Sequence, residues 1–198
     1  MYKKEEKEDL ILEAALKVIK EKGFHGARMA DIARKAGISY GLIYHYFKNK
    51  EAIFDAIIKR WWKGLFRSME AMEENGDIRS RLLNIIYYFL NAYKEQPDLV
   101  NIFITEISRS TVNLNEERLG YFKRFMELTD RIMQDGIDCA YLRQDIKARY
   151  LTYIFLGALE TFVSAMVLVS QRLEDDSLKH RIASSILEVF LNGARKRE

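Results

Sequence analysis

The chain has 198 residues, 48% of them hydrophobic, with one proline and one cysteine; that is enough for one sizeable core or two small ones and suits a packed, mostly helical protein. The lone cysteine, Cys139, excludes an intramolecular disulfide and a cysteine-based metal cluster, and reads as a small buried apolar residue. The formal charge of +3 is too small for a bulk polyanion binder, but it is unevenly placed: residues 1–60 carry 13 Lys and Arg against 9 Asp and Glu, a net of +4, and residues 61–198 carry 19 against 20, a net of −1.

The opening MYKKEEKEDL lacks an apolar signal core, so a soluble cytoplasmic protein is expected. A first helix is predicted over 5–22, with Leu10, Ile11, Ala14, Ala15, Val18 and Ile19 as its apolar stripe. Gly23 is placed to end it in a left-handed turn, and Phe24 to fold back on Ile19. In the stretch Ala27–Lys50, Ile32, Ala33 and Ala36 share a helix face, and Gly37 breaks the period. Ser39 can cap a second short helix in which Ile43 and Phe47 face inward. Tyr40, Gly41, Tyr44 and His45 are left facing out. Two aromatics and an imidazole on an outward face suit a helix lying in a nucleic-acid groove, where hydroxyl and imidazole groups reach phosphates and base edges. Asn49 can cap a fourth helix, 50–73, with Lys48 and Lys50 at its N-terminus as a phosphate clamp. That helix is too long for a three-helix head of about 50 residues, so it connects the head to a second domain.

These residues resemble the helix-turn-helix of the tetracycline-repressor (TetR/AcrR) family of bacterial transcription regulators. The likeness is carried by Asp31-Ile32-Ala33, by Ala36-Gly37-Ile38-Ser39, and above all by Ile43-Tyr44-His45-Tyr46-Phe47-Lys48-Asn49-Lys50-Glu51. It covers about residues 8–60. Met29 stands where the family has a Thr or Ser that caps the first of the two helices, and Arg28 is expected to take over its contact. The DNA-binding set is therefore Arg28, Ser39, Tyr40, Gly41, Tyr44, His45, Tyr46, Lys48 and Lys50. Of these, Tyr40, Gly41 and His45 are candidates for base edges, and Arg28, Tyr44, Tyr46, Lys48 and Lys50 for phosphates.

Beyond Asn75-Gly76-Asp77, helices are predicted over 78–94, from Pro97 to near Arg109, and over 116–140, 146–170 and 176–195. This makes nine in all and no strand. The fold class is all-α: a three-helix DNA-binding domain over 1–50, then a helical ligand-binding and dimerisation domain over 51–198, with helix 50–73 joining them. The helix around Tyr150–Val169 is apolar on nearly all sides, yet Thr152, Glu160, Thr161 and Ser164 interrupt the uninterrupted run a membrane span needs. It is read as packed on its own domain with one face and on a second copy with another. The dimer contacts are assigned to Phe155, Leu159, Phe162 and Met166, and, on the last helix, to Ile186 and Phe190; a homodimer is also what the resemblance implies.

The three histidines, His25, His45 and His180, have no acidic residue three positions before them, so no di-iron motif exists. Zinc spacing, a phosphate-cradling glycine loop and a nucleophile elbow are absent from the sequence as well. No enzyme, metal or cofactor is expected. The second domain instead offers aromatic and thioether surface for an apolar effector. The candidate ligand residues are Tyr87, Phe103, Glu106, Ile107, Arg109, Phe122, Phe125, Met126 and Glu160. Around Phe103–Arg118 the chain is similar to regulators of fatty-acid metabolism that sense acyl-CoA. The combined expectation is a homodimeric repressor, released from a palindromic double-stranded operator by a fatty acyl-CoA or another hydrophobic compound. The alternatives are a helical small-molecule-binding protein or enzyme with a vestigial helix-turn-helix, and a DNA-binding protein whose effector is another protein.

Overall fold

The structure, a computed structural model, describes residues 4–73, 76–102, 116–173 and 175–194. Among these residues there are nine α-helices and no strand: α1 (Lys4–Gly26), α2 (Met29–Lys35), α3 (Tyr40–Ile43), α4 (Lys50–Glu73), α5 (Ile78–Glu95), α6 (Pro97–Ile102), α7 (Glu116–Asp138), α8 (Ala148–Leu168) and α9 (Asp176–Ala194). The chain forms two compact units, Met1–Lys63 and Gly64–Glu198, and the division falls inside α4.

In the first unit α1 buries Ile11, Leu12, Ala14, Ala15, Val18 and Ile19, while Leu10 points outward. Gly23 breaks the helical path at φ 71, ψ 164, and one further turn follows. The Phe24 ring lies against Phe54 of α4, with centroids 5.0 Å apart. Ile32 and Ala33 of α2, Ile43 of α3, and Ile53, Phe54, Ile57, Ile58 and Trp62 of α4 complete this core. Each such aliphatic side chain contributes roughly 1.5–3 kcal/mol by leaving water.

In the second unit α5 is central and packs against α6, α7, α8 and α9. Asp77 caps it by accepting from Ser80 N at 2.7 Å, and its buried face runs Ile78, Arg81, Leu82, Ile85, Ile86, Leu90, Tyr93. Arg81 is tolerated there because its guanidinium pairs with Asp135 at 2.7 Å. Gly136 of α7 is needed for packing: a Cβ there would meet the buried Leu142 side chain at 2.7 Å. Cys139 is exposed, against expectation, because α7 ends beside it and leaves it in the turn that follows.

The face of α8 turned to its own unit carries Leu151, Thr152, Phe155, Leu159, Val163 and Met166. Its other side is uncovered and carries many apolar residues: Tyr150, Tyr153, Ile154, Phe162, Leu168 and Val169 are exposed, as are Glu160 and Thr161, and Val189 of α9 is exposed too. By length and composition alone α8 is long and apolar enough to cross a membrane, and one third of its most apolar window is buried against the protein.

Candidate nucleic-acid interface

The joint between α2 and α3 is built from backbone chemistry. Gly37 takes φ 68, a conformation open to glycine at little cost. This lets Ile38 N reach Ala33 O at 3.0 Å and Gly37 N reach Arg34 O at 3.2 Å, so the last carbonyls of α2 are satisfied. Ser39 then caps α3, its Oγ accepting from Leu42 N at 3.2 Å. At the start of α2, Arg28 occupies the cap position and no side chain caps the helix, as Met29 in place of a hydroxyl residue leads one to expect. Asn49 caps α4 by accepting from Ala52 N at 2.9 Å.

With Ile43 fully buried, the opposite face of α3 must point out. Tyr40 is 56% and Tyr44 45% exposed, and Gly41 and His45 are exposed beside them. The two tyrosines form one unit. Their hydroxyls are 2.9 Å apart, and their rings meet edge to face at 5.3 Å. The hydrogen bond with Tyr40 pushes the Tyr44 phenol above its ordinary pKa, so the Tyr44 hydroxyl keeps its proton at physiological pH. The helical period ends at Ile43 and Tyr44–Tyr46 form a turn, so Phe47 is only half-buried.

Several cations of this unit are engaged internally. Asp31 binds Lys22 at 2.8 Å and also pairs with Arg34; the Lys22 hydrogen bond, the largest influence, holds its carboxyl below the usual range. Lys35 pairs with Glu21 at 2.6 Å and Arg60 with Asp9 at 2.5 Å. Lys50 is engaged within the unit as well. Its ammonium donates to the carbonyls of Phe24 and His25, both at 3.1 Å, and sits 5.0 Å from the Phe24 ring centroid. At most one of its three donors is left for a phosphate. Tyr46 is half-buried as well, whereas Arg28 and Lys48 are exposed.

Of the candidate ligand residues of the second unit, Tyr87, Phe122, Phe125, Met126 and Glu160 lie among the described residues. Phe125 and Met126 are buried, and Phe125 meets Phe89 at 5.7 Å between ring centroids. Phe122 is half exposed. Tyr87 is tied to His180, hydroxyl to Nδ1 at 2.5 Å, and Glu160 is exposed. Phe103, Glu106, Ile107 and Arg109 lie outside the described residues. The dimer assignment also needs correction. Phe155, Leu159, Met166, Ile186 and Phe190 are all buried inside their own unit, leaving only Phe162 exposed. A side chain already enclosed in its own core has no surface to offer a second copy. The exposed apolar side chains lie on another face, around Tyr150, Ile154 and Val189.

The profile of bacterial regulatory proteins, tetR family, matches residues 11–57, and that of the YsiA-like protein C-terminal region matches residues 63–192. The chain is 26% identical over 194 residues to the fatty acid metabolism regulator protein of Bacillus subtilis, with 98% of each chain covered. It is 30% identical over 141 residues to the uncharacterized HTH-type transcriptional regulator YfiR of the same organism, covering 68% of this chain and 67% of that one. Among solved structures, the fatty acid degradation regulator FadR of Bacillus halodurans superposes with a TM-score of 0.80 at 24% identity, covering 99% and 100% of the two chains. FadR of Bacillus subtilis in complex with stearoyl-CoA superposes with a TM-score of 0.79 at 24% identity, covering 94% and 99%. With both of its units matched, and with a glycine-turned pair of helices in the first, the chain belongs to the tetR family of bacterial transcriptional regulators.

Proposed function

We propose that this chain works as a homodimeric, cytoplasmic repressor that binds a near-palindromic operator through α3 and leaves it when a long-chain acyl-CoA binds the second unit. The observation that carries the reading is the outward face of α3: Tyr40, Gly41, Tyr44 and His45 are exposed on a helix whose remaining anchor, Ile43, is buried. Arg28 and Lys48 flank that face as the phosphate contacts. Lys50 acts mainly by fixing the end of α1 to the start of α4. A second copy supplies the second half-site. Its docking surface is the face of α8 and α9 on which Tyr150, Tyr153, Ile154, Phe162 and Val189 are exposed; grouped exposed apolar side chains mark protein interaction sites. The packed opposite face of α8 argues for a protein partner there and against lipid on all sides.

The effector class is supported by the relative whose structure contains stearoyl-CoA and by the aromatic side chains of the second unit, Phe66, Phe89, Tyr121 and Phe125. α4, with residues in both units, is the route by which ligand binding changes the separation of the two α3 helices. A coupling of about 1–3 kcal/mol weakens operator binding roughly 5- to 150-fold. A mobility-shift assay on the promoter upstream of its own gene tests this. The expected result is a salt-sensitive complex that stearoyl-CoA dissociates. A complex indifferent to acyl-CoA would remove the effector assignment, and no specific complex would remove the repressor assignment.

A further inference from the structure

The segment Ser39–Phe47 reads Ser-Tyr-Gly-Leu-Ile-Tyr-His-Tyr-Phe and contains no Arg, Lys, Asn or Gln. Those are the side chains that name a base through paired hydrogen bonds, Arg or Lys on guanine and Asn or Gln on adenine. A tyrosine hydroxyl rotates, and it both donates and accepts, so by itself it discriminates poorly. Here the hydroxyls of Tyr40 and Tyr44 also partly satisfy each other at 2.9 Å, so one of the two protons is already used. What the pair offers the groove is mainly ring surface, with both rings about half exposed and locked edge to face. The one apolar group on the floor of the major groove is the C5 methyl of thymine. Gly41 adds a second observation. A Cβ at that position would meet nothing within 4 Å, and its φ is not in the left-handed region. Nothing within the protein therefore requires a glycine there, although glycine weakens a helix relative to alanine. The clearance is useful only toward something outside.

We infer that the outward face of α3 identifies its operator by thymine methyl groups, packed against the ring edges of Tyr40 and Tyr44 over the gap at Gly41. This rests on the DNA-binding reading above and adds the class of base that is read and the groups that read it. Discrimination comes from apolar contact, with His45 and the remaining hydroxyl proton supplying single hydrogen bonds. The bases beneath α3 are then A·T pairs with the thymine on a fixed strand.

The test uses the full-length protein and unaltered side chains first. An operator is selected from a random duplex pool, and each thymine of one half-site is replaced in turn by deoxyuridine, which keeps O4 and N3 and loses only the methyl. At one or two positions per half-site the affinity should fall about three- to fivefold, the effect of one apolar group of that size. Tyr40→Ala should bind thymine and uracil versions equally at those positions, a coupling that a merely structural role would not produce. Gly41→Ala should lose operator affinity while its thermal midpoint holds or rises. Specific binding in which every uracil substitution is neutral, or a selected half-site with only G·C pairs beneath α3, overturns the inference and leaves the DNA-binding reading standing. Failure to select any sequence overturns both.

Discussion

Lys50 and Lys48 are two residues apart and differ in their surroundings: Lys50 is bonded to carbonyls and Lys48 is exposed. The last carbonyls of a helix lack partners within it, and the Lys50 ammonium supplies donors to two of them at the end of α1, where a cation is also favoured by the helix dipole. Lys50→Ala should therefore lower the stability of the protein by about 2 kcal/mol in urea denaturation, with the salt dependence of DNA binding little changed in the folded fraction. Lys48→Ala should do the reverse. Its thermal midpoint should hold, while the slope of log affinity against log salt falls by about 1. Equal effects of the two substitutions would remove the distinction. A pH dependence belongs to Asp176, whose carboxylate takes Lys94 at 2.8 Å and Lys179 at 2.9 Å. The hydrogen bond from Lys94, then that from Lys179, lowers its pKa to about 2. The folded pKa lies below the unfolded one, so the stabilisation is present above the ordinary carboxylate range and is lost as the pH falls toward 2. Asp176→Asn should be less stable than the parent at pH 7, and the two should converge near pH 2 when unfolding is followed across that range.

Helix α8 has a packed face and an open one, one residue out of step with each other. Ile154→Glu places a charge on the open face and should give a folded monomer with no operator affinity, read by sedimentation velocity. Phe155→Ala cuts into the unit's own core and should cost about 3–5 kcal/mol while the protein that remains folded stays dimeric. The opposite pattern would restore the interface drawn from sequence. Tyr93 secures the C-terminal end of α8, its hydroxyl donating to Met166 O at 3.1 Å and Gln171 O at 2.6 Å; Tyr93→Phe should cost about 1–2 kcal/mol in the same denaturation assay. Helix boundaries were legible in the sequence because their signals are local. Ser39, Asn49 and Asp77 cap the helices they were expected to cap, and Gly37 turns left-handed where the period breaks. The outward phase of α3 was legible too, since a buried Ile43 fixes it. The phase of α8 was not, because a helix apolar all round gives no polar stripe to orient it. Nor was the fate of Lys50, whose partners lie 25 and 26 residues earlier in the chain and meet it only once Gly23 has kinked α1.

For the assembled molecule the governing quantity is a distance. One α3 face contacts only a half-site, and sequence-specific affinity at physiological salt needs two of them, held by a dimer to match successive major grooves about 34–36 Å apart. On the proposed reading the exposed apolar face of α8 and α9 and the outward face of α3 act together, and damage to either should abolish operator binding by a different route. Hydroxyl-radical footprinting of the full-length protein on its selected operator measures this directly. Two protected stretches with centres 10–10.5 base pairs apart, lost together in Ile154→Glu and in Tyr44→Ala, are the predicted result. Protection of a single half-site by a protein that remains dimeric, or of every sequence alike, would contradict it.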